Sequence, residues 1–234
     1  MGRNWGRQLV MGEPEEKRRV FVTGGTGYMG SRLIAALLAR GYVVRALVRA
    51  GSKKRLPEGA VPVVGNALEA ASYVNKVHSD DGRCSTFVQL VGVARPSPRK
   101  AAEFRSVDLA SAKAGINAAK QAGVAHFVYV SVAHPAPTMK SYVASRVEAE
   151  TYLRSSGLNA TVLRPWYVLG PGHLWPYVLV PFYKLCEQIP GTRETALRLG
   201  LVTIRQMVTA LVQAVENPVR GIFLVDVPGI RSAR

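Results

Sequence analysis

VFVTGGTGYMG, at residues 20–30, places a short β-branched and aromatic run directly before a glycine-rich turn. A run of this kind is typical of a buried strand in a parallel sheet. The next segment, residues 31–40, repeats leucine and isoleucine at helical spacing and ends at Gly41, which predicts a helix. A glycine turn between a strand and a helix is the context in which such a turn binds phosphate groups.

The glycines of this turn have different physical roles. Gly24 permits the tight turn, Gly27 lets the backbone approach a pyrophosphate, and Gly30 lets the helix pack close to the strand. The helix that follows offers free amides and the positive end of its dipole to an anion. We therefore predict a nicotinamide dinucleotide site; a turn kept for structural reasons alone is the alternative. The predicted phosphate-binding residues are Thr23, Gly24, Thr26, Gly27, Tyr28, Met29 and Gly30.

Strand and helix patterns alternate over the first 164 residues, and this predicts an α/β fold with a doubly wound parallel sheet, a Rossmann fold. Residues 1–18 are predicted to be a flexible leader, and residues 19–234 a single domain in which 166–200 form a small cap. The predicted strands are 20–22, 42–48, 61–64, 86–91, 126–130, 160–163 and 222–225, and the predicted helices are 31–40, 67–76, 100–122, 141–156 and 202–215.

The end of the second strand indicates which nicotinamide cofactor binds. An NAD enzyme usually has a carboxylate there for the adenosine ribose, whereas the 2′-phosphate of NADP needs a cation. No Asp or Glu stands between Met29 and Glu58, and the strand ends at Arg49, which can clamp a phosphate. Arg32 is a candidate to assist. NADP(H) is therefore predicted over NAD, and a solvated surface role is the alternative for Arg49.

Composition limits the partners. The formal net charge is +16, but the charges are scattered and no zinc-finger spacing or RNA-binding signature is present, so nucleic acid is not the expected partner.

Two distant cysteines favour a reducing, cytoplasmic location over a disulfide framework. No apolar run is long enough to span a membrane. The four histidines lack metal-ligand spacing, which predicts no metal site. A homodimer is left open.

With these motifs in hand, the chain resembles the short-chain dehydrogenase/reductase superfamily, specifically its atypical branch of NAD(P)-binding, epimerase-like and nitrogen-metabolite-repressor-like proteins. The similarity runs from about residue 19 to residue 217. The motifs that carry it are the turn at residues 23–30, GNAL at 65–68, FxxVD at 104–108, the run from Ala118 to Ser131, YxxxR at 142–146 and LRP at 163–165.

The resemblance implies a role for each matching residue. Asn66, Ala67 and Leu68 match the adenine side of the cofactor site. Ser131 matches the serine that hydrogen-bonds a substrate oxygen, and Tyr142 matches the tyrosine that transfers the proton. The segments implied to line the ribose and nicotinamide are Leu90, Val91 and Gly92, together with Pro165 and Trp166.

One position departs from the family pattern. Active members have Lys four residues after the tyrosine, where it orients the ribose and lowers the tyrosine pKa. This chain has Arg146, which supplies a cation but cannot release a proton into a relay. The resemblance therefore implies an oxidoreductase or epimerase-like enzyme in which Ser131, Tyr142 and Arg146 form the catalytic group. The alternatives are a non-catalytic cofactor sensor or scaffold, and a half-buried structural role for Tyr142.

The rest of the candidate site lies in loops. His134 and His173 are candidate acids or bases near neutral pH, with a solvated surface role as the alternative for each. The segment from Trp166 to Tyr183 is rich in aromatic residues, and an apolar lining there would suit a small apolar or aromatic carbonyl or alcohol. Ordinary packing of the cap, or contact with a membrane surface or protein partner, would explain the same composition.

Overall fold

A computed structural model describes residues 18–94, 96–171 and 188–233. Within these ranges the strands are β1 (Arg19–Thr23), β2 (Val43–Val48), β3 (Val61–Val64), β4 (Thr86–Gln89), β5 (His126–Val130), β6 (Ala160–Leu163), β7 (Tyr167–Leu169), β8 (Leu201–Thr203) and β9 (Ile222–Val225). Seven of them form a parallel sheet with the order β3-β2-β1-β4-β5-β6-β9. The predicted doubly wound α/β fold is therefore confirmed.

Helices pack on both faces of this sheet. They are α1 (Tyr28–Leu38), α2 (Ala101–Glu103), α3 (Ala110–Ala122), α4 (Lys140–Ser156), α5 (Pro190–Arg198), α6 (Ile204–Glu216) and α7 (Val227–Ser232). A π-helical turn, Phe104–Leu109, joins α2 to α3. Short 3₁₀ helices span Ala50–Arg55, Ala70–Ser72, Val74–Lys76 and Pro98–Lys100.

The buried strand residues alternate between two cores, as the period of a strand requires. Val20 and Val22 of β1 belong to the core that α1 and α6 cover. Phe21, between them, points to the opposite core, which α3 and α4 cover. There its ring centroid lies 5.1 Å from that of Phe87, which in turn lies 5.4 Å from that of Phe127. These rings join β1, β4 and β5 beneath the candidate site.

The strand order reverses between β1 and β4, because β2 and β3 lie on one side of β1 and β4, β5 and β6 on the other. In open α/β sheets the crevice at such a switch point, outside the carboxyl ends of the strands, is where dinucleotides bind. The glycine turn follows β1, and the Leu90–Val93 segment follows β4. The fold therefore places these two segments at one crevice.

Four predicted elements differ from the structure. The helix predicted at 67–76 is two separate 3₁₀ turns, and the strand predicted at 86–91 ends at Gln89. The helix predicted at 100–122 consists of α2, the π-helical turn and α3. The helix predicted at 202–215 begins at Ile204, because residues 201–203 form β8, which pairs with β7 in a second, two-stranded parallel sheet. Helices α5 and α7 and strands β7 and β8 were not predicted. Residues 1–17 of the predicted leader and most of the aromatic cap segment lie outside the described residues.

Among the described residues, no helix has the length and apolar character that a membrane crossing requires.

His126 predicts how stability depends on pH. Its side chain is buried at the start of β5, with Nε2 3.1 Å from Thr161 Oγ1, and burial lowers its pKa from 6.5 to about 4. In the unfolded chain the imidazole of His126 is protonated below pH 6.5, whereas in the folded protein it stays neutral down to about pH 4. We expect about 3 kcal/mol of stability to be lost as pH falls through this window.

The measurement is urea unfolding of the wild-type protein and His126→Gln between about pH 7 and about pH 4.5. The glutamine keeps a polar group near Thr161 but does not titrate. The difference in free energy of unfolding between the two proteins should shift in favour of the variant as the pH falls. A difference independent of pH would contradict the buried, neutral imidazole.

Candidate functional site

Two glycines of the turn, Gly24 and Gly30, are packed so tightly that a side chain would not fit. Gly24 has a φ of +72°, and a Cβ on it would lie 2.8 Å from the backbone carbonyl of Leu90 at the end of β4. A Cβ on Gly30 would overlap the carbonyl group of Gly24. The amide of Gly27 donates to that same carbonyl at 3.0 Å. The turn thus brings the start of α1 against the ends of both β1 and β4, as the sequence predicts.

The start of α1 is open to an anion. Its N-cap is Gly27, which is exposed and has no side chain with which to cap the first-turn amides. Beside it, the Arg32 guanidinium donates to the carbonyl of Tyr28 at 2.8 Å and lies 4.4 Å from the centroid of the Tyr28 ring. Arg32 is therefore engaged within the first turn. Thr23 Oγ1 donates to Gln89 Oε1 at 2.7 Å and fixes β1 to β4 below the turn.

Basic residues gather just beyond the carboxyl end of β2. Arg49 directly follows β2 and is exposed, and the adjoining 3₁₀ helix carries the exposed Lys53 and Lys54. After β3, Asn66 accepts from the amide of Leu68 at 3.1 Å and donates to Glu69 at 2.8 Å. Asn66 therefore shapes the turn that carries Ala67 and Leu68 next to β2.

Arg146 lies inside the protein, 7% exposed. One terminal nitrogen, Nη2, donates to the carboxylate of Asp108, and the other, Nη1, donates to the carbonyl of Val130 at 2.8 Å and to the hydroxyl of Tyr129 at 3.3 Å. Burial alone would lower the pKa of Arg146, but the interactions with Tyr142, Tyr129 and Asp108 outweigh burial and raise this pKa above its usual value. The guanidinium is therefore a permanent cation locked under the site.

Tyr142 lies one turn before Arg146 on α4 and is half-buried. Its ring centroid is 5.0 Å from that of Phe104, and the Arg146 guanidinium carbon is 5.2 Å from the Tyr142 centroid. The ring thus contacts both an aromatic ring and a cation, and these contacts favour a fixed position.

Asp108 was singled out in the sequence only as part of a matching motif, with no role. The structure buries it completely in the π-helical turn, where Oδ1 accepts from Arg146 and Oδ2 accepts from the amide of Val93 at 3.0 Å. The signal available in the sequence was a charged residue, Asp108, in the same short motif as the apolar Phe104. A buried carboxylate needs a cation, and Arg146, which stands where the family has lysine, supplies it.

Ser131 directly follows β5 and is also buried. Its hydroxyl donates to Glu150 Oε1 at 2.6 Å. Arg164, just after β6, donates to both oxygens of the same carboxylate, with Nε at 3.0 Å from Oε1. His134 Nε2 lies 3.5 Å from Glu150 Oε1. Glu150 is therefore the centre of a cluster that sequence reasoning missed.

The charge of Glu150 is stabilised by its partners. Burial raises its pKa, but the hydrogen bonds from Arg164 and Ser131 outweigh burial and hold the pKa of Glu150 below its usual range. Glu150 thus accepts hydrogen bonds as a carboxylate. Since the Ser131 hydrogen points to this carboxylate, the lone pairs of the hydroxyl remain to accept from a ligand.

A cavity of about 340 Å³ adjoins this cluster. The His134 ring nitrogen Nε2 and the Arg198 Nε are buried beside it without a hydrogen-bond partner among the described residues. Five of the described residues that line it are titratable or charged, and the lining is Ala133, His134, Arg164, Glu194, Leu197, Arg198, Asp226 and Pro228. A ligand entering here would meet charged groups of both signs.

The remaining predicted residues lie along the same edge of the sheet. Val91 and Gly92 follow β4, and Gly92 is exposed. Pro165 is buried and its carbonyl accepts from the amide of Ala133 at 3.0 Å, which joins the segments after β5 and β6. The Trp166 ring is half-buried and edge-on to that of Tyr167. His173 lies outside the described residues.

Among the residues described here, no group of three His, Cys, Asp or Glu side chains could hold a metal ion.

Sequence comparison adds named relatives. The family described as NAD(P)H-binding matches residues 24–172. A ceramide reductase of Caulobacter vibrioides is 26% identical over 213 residues, covering 91% of this chain and 65% of that protein. A 4-hydroxy-2-methyl-3-oxo-4-farnesyl-3,4-dihydroquinoline-1-oxide ketoreductase of Stigmatella aurantiaca is 31% identical over 175 residues, covering 65% of this chain and 51% of that protein. The chain thus spans about half to two thirds of the length of these relatives.

Solved structures share the fold. The Bordetella bronchiseptica enzyme WbmH, crystallised with NAD+, superposes with a TM-score of 0.66 at 22% identity, covering 90% of this chain and 76% of that one. A UDP-galactose 4-epimerase superposes with a TM-score of 0.64 at 18% identity, covering 89% and 78%. At these identities the likeness supports the architecture and nothing finer.

Proposed function

This chain belongs to the NAD(P)H-binding family, as its resemblance to the short-chain dehydrogenases/reductases implies, and we propose that it is an NADP(H)-dependent oxidoreductase or epimerase-like enzyme acting on a small carbonyl or alcohol. The observation that carries the proposal is the position of Tyr142. Its half-buried ring lies 5.2 Å from the Arg146 guanidinium, and the same guanidinium contacts the backbone of Gly92 in the segment after β4.

The crevice fits a dinucleotide. Because Gly27 leaves the first turn of α1 uncapped, the amides and dipole there can bind the pyrophosphate. Asn66, Ala67 and Leu68 would flank the adenine, and the backbone of Val91 and Gly92, with Pro165 and Trp166, would line the ribose and nicotinamide. The bound cofactor supplies or accepts the hydride.

The chain's own residues would handle the proton and the substrate oxygen. In the reducing direction the Tyr142 hydroxyl donates a proton to the carbonyl oxygen, and the positive field of Arg146 stabilises the phenolate that remains. Ser131 accepts a hydrogen bond from the alcohol through its lone pairs, because its own hydrogen is donated to Glu150. Because the Arg146 guanidinium does not release a proton, the tyrosine must regain its proton from another source.

The substrate is proposed to have an apolar body and a polar group. The apolar part rests on the aromatic segment of the sequence, of which Trp166 and Tyr167 are described. The polar part rests on the cavity beside His134 and Arg164. Turnover of NADPH against aliphatic, aromatic and quinone carbonyls, with and without a carboxylate, tests the proposal. Saturable oxidation of NADPH by any carbonyl class supports it, and tight binding without turnover contradicts the enzymatic role.

Arg49 predicts the choice of cofactor. We expect the Kd for NADPH to be at least about ten times lower than the Kd for NADH, because the exposed cation that follows β2 pairs with the 2′-phosphate. Arg49→Ala should remove most of this preference by weakening NADPH alone. Titration of nicotinamide fluorescence measures both constants. Arg220→Ala, an exposed arginine before β9 and so at the opposite edge of the sheet, is the matched control. Equal affinities in the wild-type protein would contradict the NADP preference.

A non-catalytic sensor or scaffold is the second candidate. The observation that favours it is the engagement of Arg146, whose terminal nitrogens are bound to protein groups and which therefore provides no proton relay. A sensor would bind NADPH and show a conformational response, such as protection from proteolysis, without oxidising it in the presence of any carbonyl.

A further inference from the structure

We propose that Asp108 and Arg146 act together as a positioning unit for the nicotinamide half of the cofactor site. The pair joins the loop after β4 to the helix that carries Tyr142. It compensates in this chain for the absence of lysine after the tyrosine. This inference rests on the proposed function, since it assumes that a nicotinamide cofactor occupies the crevice.

The contacts of Asp108 reach both sides of the crevice. Oδ2 accepts from the amide of Val93, 3.0 Å away, in the loop after β4. Oδ1 accepts from Arg146 on α4. One buried carboxylate therefore fixes the loop relative to the helix, and both carry residues of the candidate site.

Arg146 supports the loop from below. A Cβ on Gly92 would lie 2.5 Å from Arg146 Nη2 and 3.1 Å from Asp108 Oδ1, so the backbone of Gly92 rests directly on the ion pair. Gly92 itself is exposed. The guanidinium thus lies beneath the loop surface that a cofactor would contact, rather than in the crevice.

The guanidinium has no free group to offer a ligand. Nη1 and Nη2 are bound to Val130, Tyr129 and Asp108, and Nε is sealed from solvent without a partner among the described residues. Arg146 therefore acts through other residues, namely the Gly92 backbone above it and the Tyr142 ring beside it. This differs from a lysine that contacts the ribose directly.

Asp108 lies in the π-helical turn between α2 and α3. Such turns are rare and occur frequently at functional sites. Phe104, in the same turn, contacts the Tyr142 ring, with 5.0 Å between the ring centroids. The turn thus contributes to the position of both the loop and the tyrosine.

Variants that remove one charge or both separate positioning from simple stability. Asp108→Asn keeps an oxygen for the amide of Val93 but leaves Arg146 uncompensated, and Arg146→Met leaves Asp108 uncompensated. Each single variant should unfold at lower urea concentration than the wild type, because a buried charge has lost its partner. The double variant Asp108→Asn/Arg146→Met should recover much of the lost stability, since no buried charge remains.

Two probes then report on the two halves of the site. NADPH, followed by nicotinamide fluorescence, reports on the whole crevice, and 2′,5′-ADP reports on the adenosine half alone. In the double variant we expect the Kd for NADPH to rise about tenfold or more and the fluorescence enhancement to be lost, while the Kd for 2′,5′-ADP changes by less than about twofold. NADH and AMP serve as a parallel pair, so that cofactor preference is judged separately.

Gly92→Ala tests the same unit without altering either charge, and it decides the matter if the double variant does not fold. Its methyl group would press on Arg146 and move the loop, so the same selective loss of NADPH affinity is expected. Glu148→Gln is the matched control, since Glu148 is a partly exposed residue of α4 that pairs with Lys113 at 2.9 Å. It should leave both probes unchanged.

NADPH binding that stays at the wild-type level in the double variant, or in Gly92→Ala, would overturn the proposal and leave the pair a purely structural one. Parallel weakening of both probes would also overturn it, because it would indicate general disruption. A wild-type protein that binds neither NADPH nor NADH would instead refute the proposed function itself.

Discussion

Replacing Tyr142 with phenylalanine is expected to lower kcat for NADPH-dependent carbonyl reduction by about a hundredfold or more, the usual contribution of a positioned acid or base. The variant removes only the hydroxyl. The ring keeps its contacts with Phe104 and Arg146, at 5.0 and 5.2 Å, so the fold and the cofactor affinity should remain. Steady-state kinetics with the best carbonyl of the panel gives kcat, and fluorescence titration gives the Kd for NADPH.

The contrast between the two readouts makes this prediction specific. A fall in kcat with an NADPH Kd within about threefold of wild type would assign the proton to Tyr142. Retention of more than about a tenth of the wild-type kcat would contradict that assignment. Tyr152→Phe is a suitable control, since Tyr152 lies on the same helix but donates to Asn117 at 2.8 Å, away from the crevice.

Glu150→Gln is expected to lower the free energy of unfolding by about 3 kcal/mol, because it leaves Arg164 next to a neutral group in a largely buried cluster. Glu150 is 4% exposed, and it accepts hydrogen bonds from both Ser131 and Arg164. Glutamine has the same shape, so the loss would reflect charge. For a chain of this size the melting temperature should fall by about 6 to 12 °C.

The pH dependence gives this prediction a sign. Because the pKa of Glu150 is held below its usual value of 4.5, its charge stabilises the folded state fully above that value. The stabilisation is lost as the pH falls through the lower folded pKa, and the difference between wild type and variant should shrink there. Glu148→Gln on the same helix is the control and should change stability little. An equal effect of the two substitutions would contradict the buried cluster.

Local patterns made the glycine turn and the elements that flank it predictable. The glycine turn, its strand and its helix lie within twenty consecutive residues, so the sequence spacing alone defines their geometry. The position of Arg49 directly after β2 was predictable in the same way, from the pattern of the strand that precedes it. The parallel sheet follows from the alternation of strand and helix patterns.

The arrangement around Tyr142 depends on contacts between distant residues. Asp108 and Arg146 are 38 positions apart, and nothing in either local pattern indicates their pairing. Glu150 is a different case. Tyr142, Arg146 and Glu150 are spaced four residues apart on α4 and therefore share one helix face, which a helical projection would have revealed. The pairing of β7 with β8 joins the start of the predicted cap segment to the residues directly after it, and has no local signal.

The central claim is that the crevice between the glycine turn and the loop after β4 binds a reduced nicotinamide cofactor. Titration of the purified protein with NADPH, followed by nicotinamide fluorescence, tests it most directly. We predict saturable, one-to-one binding with an enhanced signal that 2′,5′-ADP displaces by competition. A signal that neither saturates nor responds to 2′,5′-ADP would contradict the claim.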